Sequence, residues 1–359
     1  MHTLYEQHFR KFRNTKQWII NNFLIEQDIH ITSMIRLIHL RGAIGNICDR
    51  ILYGSVTDFI DLHLANPRGM CAGVERAINI ANNALKIYGS PIYIHHELVH
   101  NKYVVDSLKQ KGMIFIENVK NVPKNSILIF SAHGVSKKVR KLAQERCLTI
   151  LDATCPLVKK VHNEVSKSSM QGKEVILIGH KNHPEVIGTL GQYENKNGKI
   201  YLVESLKDVQ KLKTTLSIDD TDKIVLKLKN RFPKIHGPHK QDICFATENR
   251  QNAVKLLVKL VDLILVIGSK NSSNSNRLLE LAQKSQKPAY LIDNNHDLNF
   301  FWFKNIKKVG ITSGASAPEI LTEKIISHLI NVFNFSISIY NVPGKKENVT
   351  FSIPKELQI

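Results

Sequence analysis

From about residue 60 onward, short β-branched apolar runs alternate with segments of helical period. That alternation confines the chain to an α/β fold built on parallel strands. Candidate strands are 91–94, 113–116, 126–130 and 148–151, then 175–178 and 199–203, then 263–267, 289–292 and 308–311. They fall into three weakly similar repeats. Each repeat opens with a cysteine ahead of a helix: Cys71 before Ala72-Gly73-Val74, Cys155 before Pro156-Leu157-Val158, Cys244 before Phe245-Ala246-Thr247. Each continues to a strand that ends in polar groups, around His95 to Asn101, His180 to Glu185 and Ser272 to Asn274. Each closes on a small polar loop, at Ser131-Ala132-His133-Gly134, Thr214 to Ser217 and Ser313 to Ser316.

Ligand sites in parallel sheets lie beyond the carboxyl ends of the strands. The repeat therefore gathers three cysteines and the polar loops around one centre. Cys71 stands between Gly69 and Gly73 where a strand hands over to a helix, and backbone N–H groups there favour a thiolate. An isolated cysteine at such a place is more often a small buried residue. Three thiolates make a poor zinc site unless a histidine joins them. An iron–sulfur cubane usually takes four cysteines, and three would leave one iron open to a substrate oxygen. Around the centre stand His100, His133 and His183, with Thr214, Ser272, Ser273, Asn274 and Ser316. Neutral donors of this kind can hold a diphosphate without a P-loop, and no GxxxxGK[ST] motif is present. Glu185, directly after His183-Pro184, is the acid expected inside the pocket, where desolvation would help it hold a proton. One defect shows in the middle repeat. Residues 206–213 are charged where the other repeats have an apolar strand, so a strand before Thr214 is expected to be missing.

The 359 residues suffice for two or three domains, and 43% hydrophobic with 23% charged residues is the balance of a soluble globular chain. No apolar run is long enough to span a bilayer, which excludes an integral membrane protein. The formal charge of +19 suits an anionic partner, although Lys is spread throughout rather than gathered in one stripe. The five cysteines are odd in number and dispersed, with no CxxC pair, which argues against a disulfide framework or a zinc ribbon. Cys48 and Cys147 are given no role. Residues 1–60 do not follow the βα pattern and are expected to be a peripheral or disordered extension.

The strings LANPRGMCAGVERAI, HHELVHNKYVVDSL, FSAHGVS, LDATCPLVKKVH, GHKNHPEVIGT, DICFATENRQ, GSKNSSNSNRL and TSGASAPEIL closely resemble the 4-hydroxy-3-methylbut-2-enyl diphosphate reductases. That family closes the methylerythritol phosphate route to isoprenoids. The resemblance runs from Leu62 nearly to the C-terminus. It implies three pseudo-repeated α/β domains with small parallel sheets, in a trefoil around a central 4Fe–4S cluster. The expected boundaries are an opening strand at 61–72, domains at 73–155, 156–240 and 241–335, and a C-terminal tail at 336–359.

Carried onto this chain, the cluster ligands would be Cys71, Cys155 and Cys244. The diphosphate would meet His100, His133, Ser272, Ser273, Asn274 and Ser316. His183 and Thr214 would touch the substrate, and Glu185 would be the proton donor. The implied reaction removes the substrate hydroxyl with two electrons and two protons, giving isopentenyl and dimethylallyl diphosphate. Electrons would come from an acidic ferredoxin or flavodoxin, for which the basic surface has a use. A cytoplasmic monomer or weak homodimer is expected, without nucleic-acid or membrane partners. The chain departs from the family in its first 60 residues and in the shortened segment before Thr214. Two other readings follow from those departures and from the charge: a decayed relative that keeps the ligands, and a basic nucleic-acid-binding protein.

Overall fold

Leu263-Ile264-Leu265-Val266-Ile267 is a run of five apolar residues with no polar break, and such a run suits a strand covered on both faces. In the computed structural model, which describes residues 59–205, 225–230, 235, 237 and 244–358, it is a central strand with every residue buried. The strands numbered here are β1 (Phe59–Leu64), β2 (Ile92–His95), β3 (Met113–Ile116), β4 (Ile127–Phe130), β5 (Thr149–Asp152), β6 (Val175–Ile178), β7 (Ile200–Val203), β8 (Leu263–Ile267), β9 (Ala289–Ile292), β10 (Lys308–Ser313) and β11 (Ser336–Asn341). They form three parallel sheets with orders β11-β1-β10-β8-β9, β3-β2-β4-β5 and β6-β7. Each strand expected from the sequence is present to within about a residue or two, as the pattern of β-branched runs between turn residues demands. β11 was not expected. It pairs in parallel with β1 over Phe59–Leu64, and most of its side chains stay exposed, so no apolar run marks it.

The helices are α1 (Ala72–Tyr88), α2 (Lys102–Gln110), α3 (Lys137–Glu145), α4 (Pro156–Met170), α5 (Pro184–Leu190), α6 (Phe245–Leu257), α7 (Ser273–Gln283) and α8 (Glu319–Asn331). Val74, Ala77, Ile80, Ala81 and Ala84 of α1 recur at helical spacing and pack under the four-stranded sheet with Ile92, Ile94, Ile129 and Leu151. Leu128 and Phe130, on the opposite side of β4, pack with Ala143 of α3. The five-stranded sheet is sandwiched in the same way. Leu263, Leu265 and Ile267 face the α8 side with Leu321 and Ile325, while Ile264 and Val266 face α6 and α7. The two-stranded sheet has the thinnest cover, with Val203 and Leu228 its buried apolar side chains among the described residues. The strand expected to be missing before Thr214, Thr214 itself, Cys48 and residues 1–58 lie outside the described residues.

Candidate functional site

The three cysteines share one local design. Cys71, Cys155 and Cys244 are the N-cap residues of α1, α4 and α6, and none uses its side chain to cap the helix. Ser, Asp or Asn is the ordinary choice there because its oxygen satisfies a free N–H. A thiol at this position is a weaker cap, and the first-turn N–H groups of α4 and α6 act on the sulfur. The caps are pinned by backbone: Cys71 N–H donates to the Ala315 carbonyl at 3.0 Å, and Cys155 N–H to the Ala132 carbonyl at 3.0 Å.

The sulfurs come together. A Cβ built on Gly73 would lie 2.6 Å from Cys155 Sγ and 4.0 Å from Cys71 Sγ. Glycine there is a requirement of the packing between two of the cysteines. Burial pushes the Cys155 thiol up to about 11; the N–H groups of Leu157 and Val158 oppose this, and the charges of Cys71 and Cys244 add to it. Cys244 is raised chiefly by burial, with Cys71 and Glu185 also contributing. For these two thiols the stabilisation expected from the helix ends is present and is outweighed by desolvation. Among the described residues no set of three His, Cys, Asp or Glu is arranged to hold a metal ion. A single ion needs all its ligands about 2.0–2.3 Å from one point. All three thiols are partly buried.

Beside the thiols the structure groups three imidazoles. The His100 and His133 rings stack with centroids 4.1 Å apart, and His183 stands edge-on to both at 5.4 and 5.8 Å. Burial holds His133 well below the usual histidine range, with His100, His183 and His96 adding to the shift. Burial, then His100 and His180, hold His183 at about 4. Both rings are therefore neutral at neutral pH. His183 is the N-cap of α5, and its Nδ1 accepts from Glu185 N–H at 3.3 Å. That bond assigns the ring proton to Nε2, leaving a donor available on the other edge. Glu185 follows in the first turn, half-buried, and burial raises its carboxyl pKa while His100 pulls the other way.

The third cluster of polar groups comes from α7 and the loop after β10. Ser272 is the N-cap of α7, and its Oγ accepts from Ser275 N–H and from the Ser275 hydroxyl, leaving its own O–H free to donate. Asn274 Oδ1 accepts from Ala315 N–H at 2.8 Å, while its Nδ2 is buried without a protein partner. Ser316 Oγ donates to the His100 carbonyl at 2.8 Å and so joins this loop to the imidazole cluster. Ser273 lies exposed in the first turn of α7. His100 Nε2, His133 Nδ1, Ser131 Oγ and Ser313 Oγ are likewise buried without partners. Unsatisfied buried polar atoms are costly, and a group of them in one place marks a ligand site.

Residues the sequence did not single out complete the framework. Glu97 accepts from His100 Nδ1 at 3.1 Å and from Asn271 Nδ2 at 2.7 Å, so one carboxylate orients the histidine and ties it to the α7 loop. Ser269 is buried, accepts from Lys102 N–H at 2.9 Å at the start of α2, and bonds Asp293. The signal for Glu97 was its place three residues before His100. Its second partner, Asn271, is too far along the chain for spacing to find.

A family model described as LytB protein matches residues 62–330. A second, described as signal peptidase (SPase) II, matches residues 15–99; it spans less than half the chain and overlaps the first over 62–99. A 4-hydroxy-3-methylbut-2-enyl diphosphate reductase from Wigglesworthia glossinidia brevipalpis is 54% identical over 310 residues, 83% of this chain and 98% of the relative. One of the same name from Cronobacter sakazakii is 56% identical over 308 residues, 82% and 97% of the two chains. Among solved structures, the E-1-hydroxy-2-methyl-but-2-enyl-4-diphosphate reductase from Plasmodium falciparum superposes with a TM-score of 0.76 at 40% identity, covering 84% of this chain and 97% of the other. A second structure, described as (E)-4-hydroxy-3-methyl-but-2-enyl diphosphate reductase, the terminal enzyme of the non-mevalonate pathway, gives 0.56 at 33% identity, covering 76% and 99%.

Proposed function

The chain belongs to the LytB protein family, and from that premise we propose how its own residues carry out the reaction named for its relatives. It is an oxidoreductase, the 4-hydroxy-3-methylbut-2-enyl diphosphate reductase that ends the non-mevalonate route to isoprenoids. The reaction breaks the allylic C–O bond. Two electrons and one proton go to carbon, the second proton goes to the departing oxygen, and water leaves with isopentenyl or dimethylallyl diphosphate.

Cys71, Cys155 and Cys244 would hold a 4Fe–4S cluster. The proximity of Cys71 and Cys155 across Gly73, and the effect of Cys71 on both Cys155 and Cys244, support that reading. When bound, such a cluster supplies single electrons and one iron able to act as a Lewis acid toward the hydroxyl oxygen. The chain's own groups do the rest. His100, His133, Asn274, Ser272 and Ser273 would bind the diphosphate, and the unpartnered Nε2, Nδ1 and Nδ2 atoms are the groups that gain most from it. Ser316 would join them after turning its hydroxyl away from the His100 carbonyl. Glu97 would keep His100 oriented toward the anion. His183 Nε2–H would donate to the substrate, as would Thr214. Glu185 would deliver the proton, since burial raises its pKa and favours the protonated form.

The observation that carries the reading is the meeting of paired thiols, three imidazoles and a raised carboxyl at the ends of parallel strands. The electron donor would be an acidic ferredoxin or flavodoxin, supported by the charge of +19. A cytoplasmic monomer or weak homodimer suits that role. No helix among the described residues is long and apolar enough to cross a membrane. The test is Glu185→Gln. It should lower kcat by at least about a hundredfold, the usual scale for removing a general acid, while iron content is retained. Full turnover in that variant would remove Glu185 from the mechanism.

A further inference from the structure

Two arginines in the core connect the cysteine-bearing segments. Arg250, on α6, is 1% exposed. Its Nε donates to the Gly69 carbonyl at 2.8 Å and Nη2 to the Met70 carbonyl at 3.2 Å, the two residues ahead of Cys71. Its Nη1 donates to the Ala246 carbonyl at 3.0 Å, two residues after Cys244. Arg76, on α1, is 8% exposed. Its Nη1 donates to the Thr154 carbonyl at 3.2 Å, directly ahead of Cys155. One guanidinium thus spans the Cys71 and Cys244 segments, and the other spans the Cys71 and Cys155 segments.

Both are also tied to the same stretch of chain. After β11, Val342 N–H donates to the Leu64 carbonyl at 2.9 Å. Glu347 then accepts from Arg250 Nη1 at 3.1 Å on both oxygens and from Asn249 Nδ2 at 2.9 Å. The Ser352 carbonyl accepts from Arg76 Nε at 2.8 Å. The Leu357 carbonyl accepts from Asn83 Nδ2 at 3.0 Å, and its side chain is fully buried in the core beneath the four-stranded sheet. Residues 342–357 therefore run from the edge of one sheet to the core of another, meeting both arginines on the way. A planar guanidinium with five donors can hold several backbone carbonyls in fixed relation, which no lysine can do.

We propose that Arg76 and Arg250 are positioning residues for the cysteine site, and that the C-terminal segment, through Glu347 and Ser352, locks them and is part of that site. The proposal rests on the assignment of the three cysteines to an iron–sulfur cluster and goes beyond it. Glu347 has a second effect. It compensates the Arg250 charge in a buried place, and Arg250 bonds the Gly69 and Met70 carbonyls just ahead of Cys71, so the net charge beside that segment depends on a residue more than a hundred positions away in sequence.

The test uses the anaerobically loaded full chain and two changes at Glu347, whose side chain is 16% exposed. Glu347→Ala removes the anchor and should release iron to an external chelator about 10- to 100-fold faster, the scale of losing an outer-shell partner. Glu347→Gln keeps an acceptor for Arg250 but removes the negative charge, and should shift the cluster's reduction potential to more positive values. Faster release with an unmoved potential in Glu347→Gln reduces the segment to packing and overturns the positioning role, as does wild-type behaviour in both variants. A wild-type chain that takes up no iron overturns the cluster assignment beneath the proposal, which separates the two failures.

Discussion

Gly73 is the residue at which the account is most exposed. In the first turn of a helix, alanine is ordinarily the better residue by about 1 kcal/mol. Here its methyl would stand 2.6 Å from Cys155 Sγ. Gly73→Ala should therefore leave helix content unchanged and cut iron bound per chain after anaerobic loading by more than half; undiminished loading would mean the two sulfurs do not share a ligand. The imidazole cluster makes a separate prediction about protons. His133 and His183 are held neutral first by burial and then by neighbouring imidazoles, His100 foremost, His183 at about 4. A diphosphate beside His133 favours its charged form and raises its pKa, so binding takes up protons and tightens as pH falls from 8 toward 6. Titration calorimetry of inorganic diphosphate in buffers of different ionisation enthalpy should show net proton uptake; release would contradict the assignment of His133 to the anion. Cys71, His133 and Glu185 were legible in the sequence because each sits at a strand end or helix start, where local pattern marks it. Arg250 and Glu97 were not, because their partners lie 181 and 174 residues away.

At the level of elements, the ends of strands and starts of helices are joined by short polar links, and Asp152 at the end of β5 is the best developed. Its Oδ1 accepts from Thr154 N–H at 3.0 Å, while Oδ2 bonds Arg140 of α3 at 2.7 Å and pairs with Lys159 of α4 at 3.1 Å. Burial alone would raise its pKa, but the Thr154 and Arg140 hydrogen bonds and the nearby cations win and hold it at about 2, against an ordinary 3.8. A carboxylate depressed on folding contributes stability that is present above 3.8 and disappears as pH falls through 2. Allowing for the half-exposed cations, Asp152→Asn should cost about 1–2 kcal/mol at pH 7. Urea unfolding should show that gap shrinking at pH 3, and a gap independent of pH would assign the loss to something other than ionisation. The strands were legible because each is a β-branched run between turn residues. β11 was missed for the reverse reason: an edge strand of Ser, Ile, Tyr and Asn with little burial carries no apolar signature.

For the whole molecule, three parallel sheets deliver their strand ends and helix starts to one set of thiols, rings and hydroxyls, and the C-terminal segment ties two of those sheets together. The α/β class and the parallel sheets followed from the alternation of runs. That the C-terminal segment returns to the cysteines did not, because it does so through buried guanidinium bonds rather than through a repeat. A family model that matches residues 62–330, with a relative covering 83% of the chain, places the molecule in the LytB family. The central claim is that Cys71, Cys155 and Cys244 together hold one iron–sulfur cluster that serves this reduction. Iron and sulfide analysis of anaerobically purified wild type, beside a Cys155→Ser variant and paired with a turnover assay, tests it most directly. The account predicts about four irons and four sulfides per chain with conversion of the hydroxylated diphosphate in the wild type, and loss of both in the variant. Wild type that turns over without iron, or a Cys155→Ser variant with full iron and activity, would contradict it.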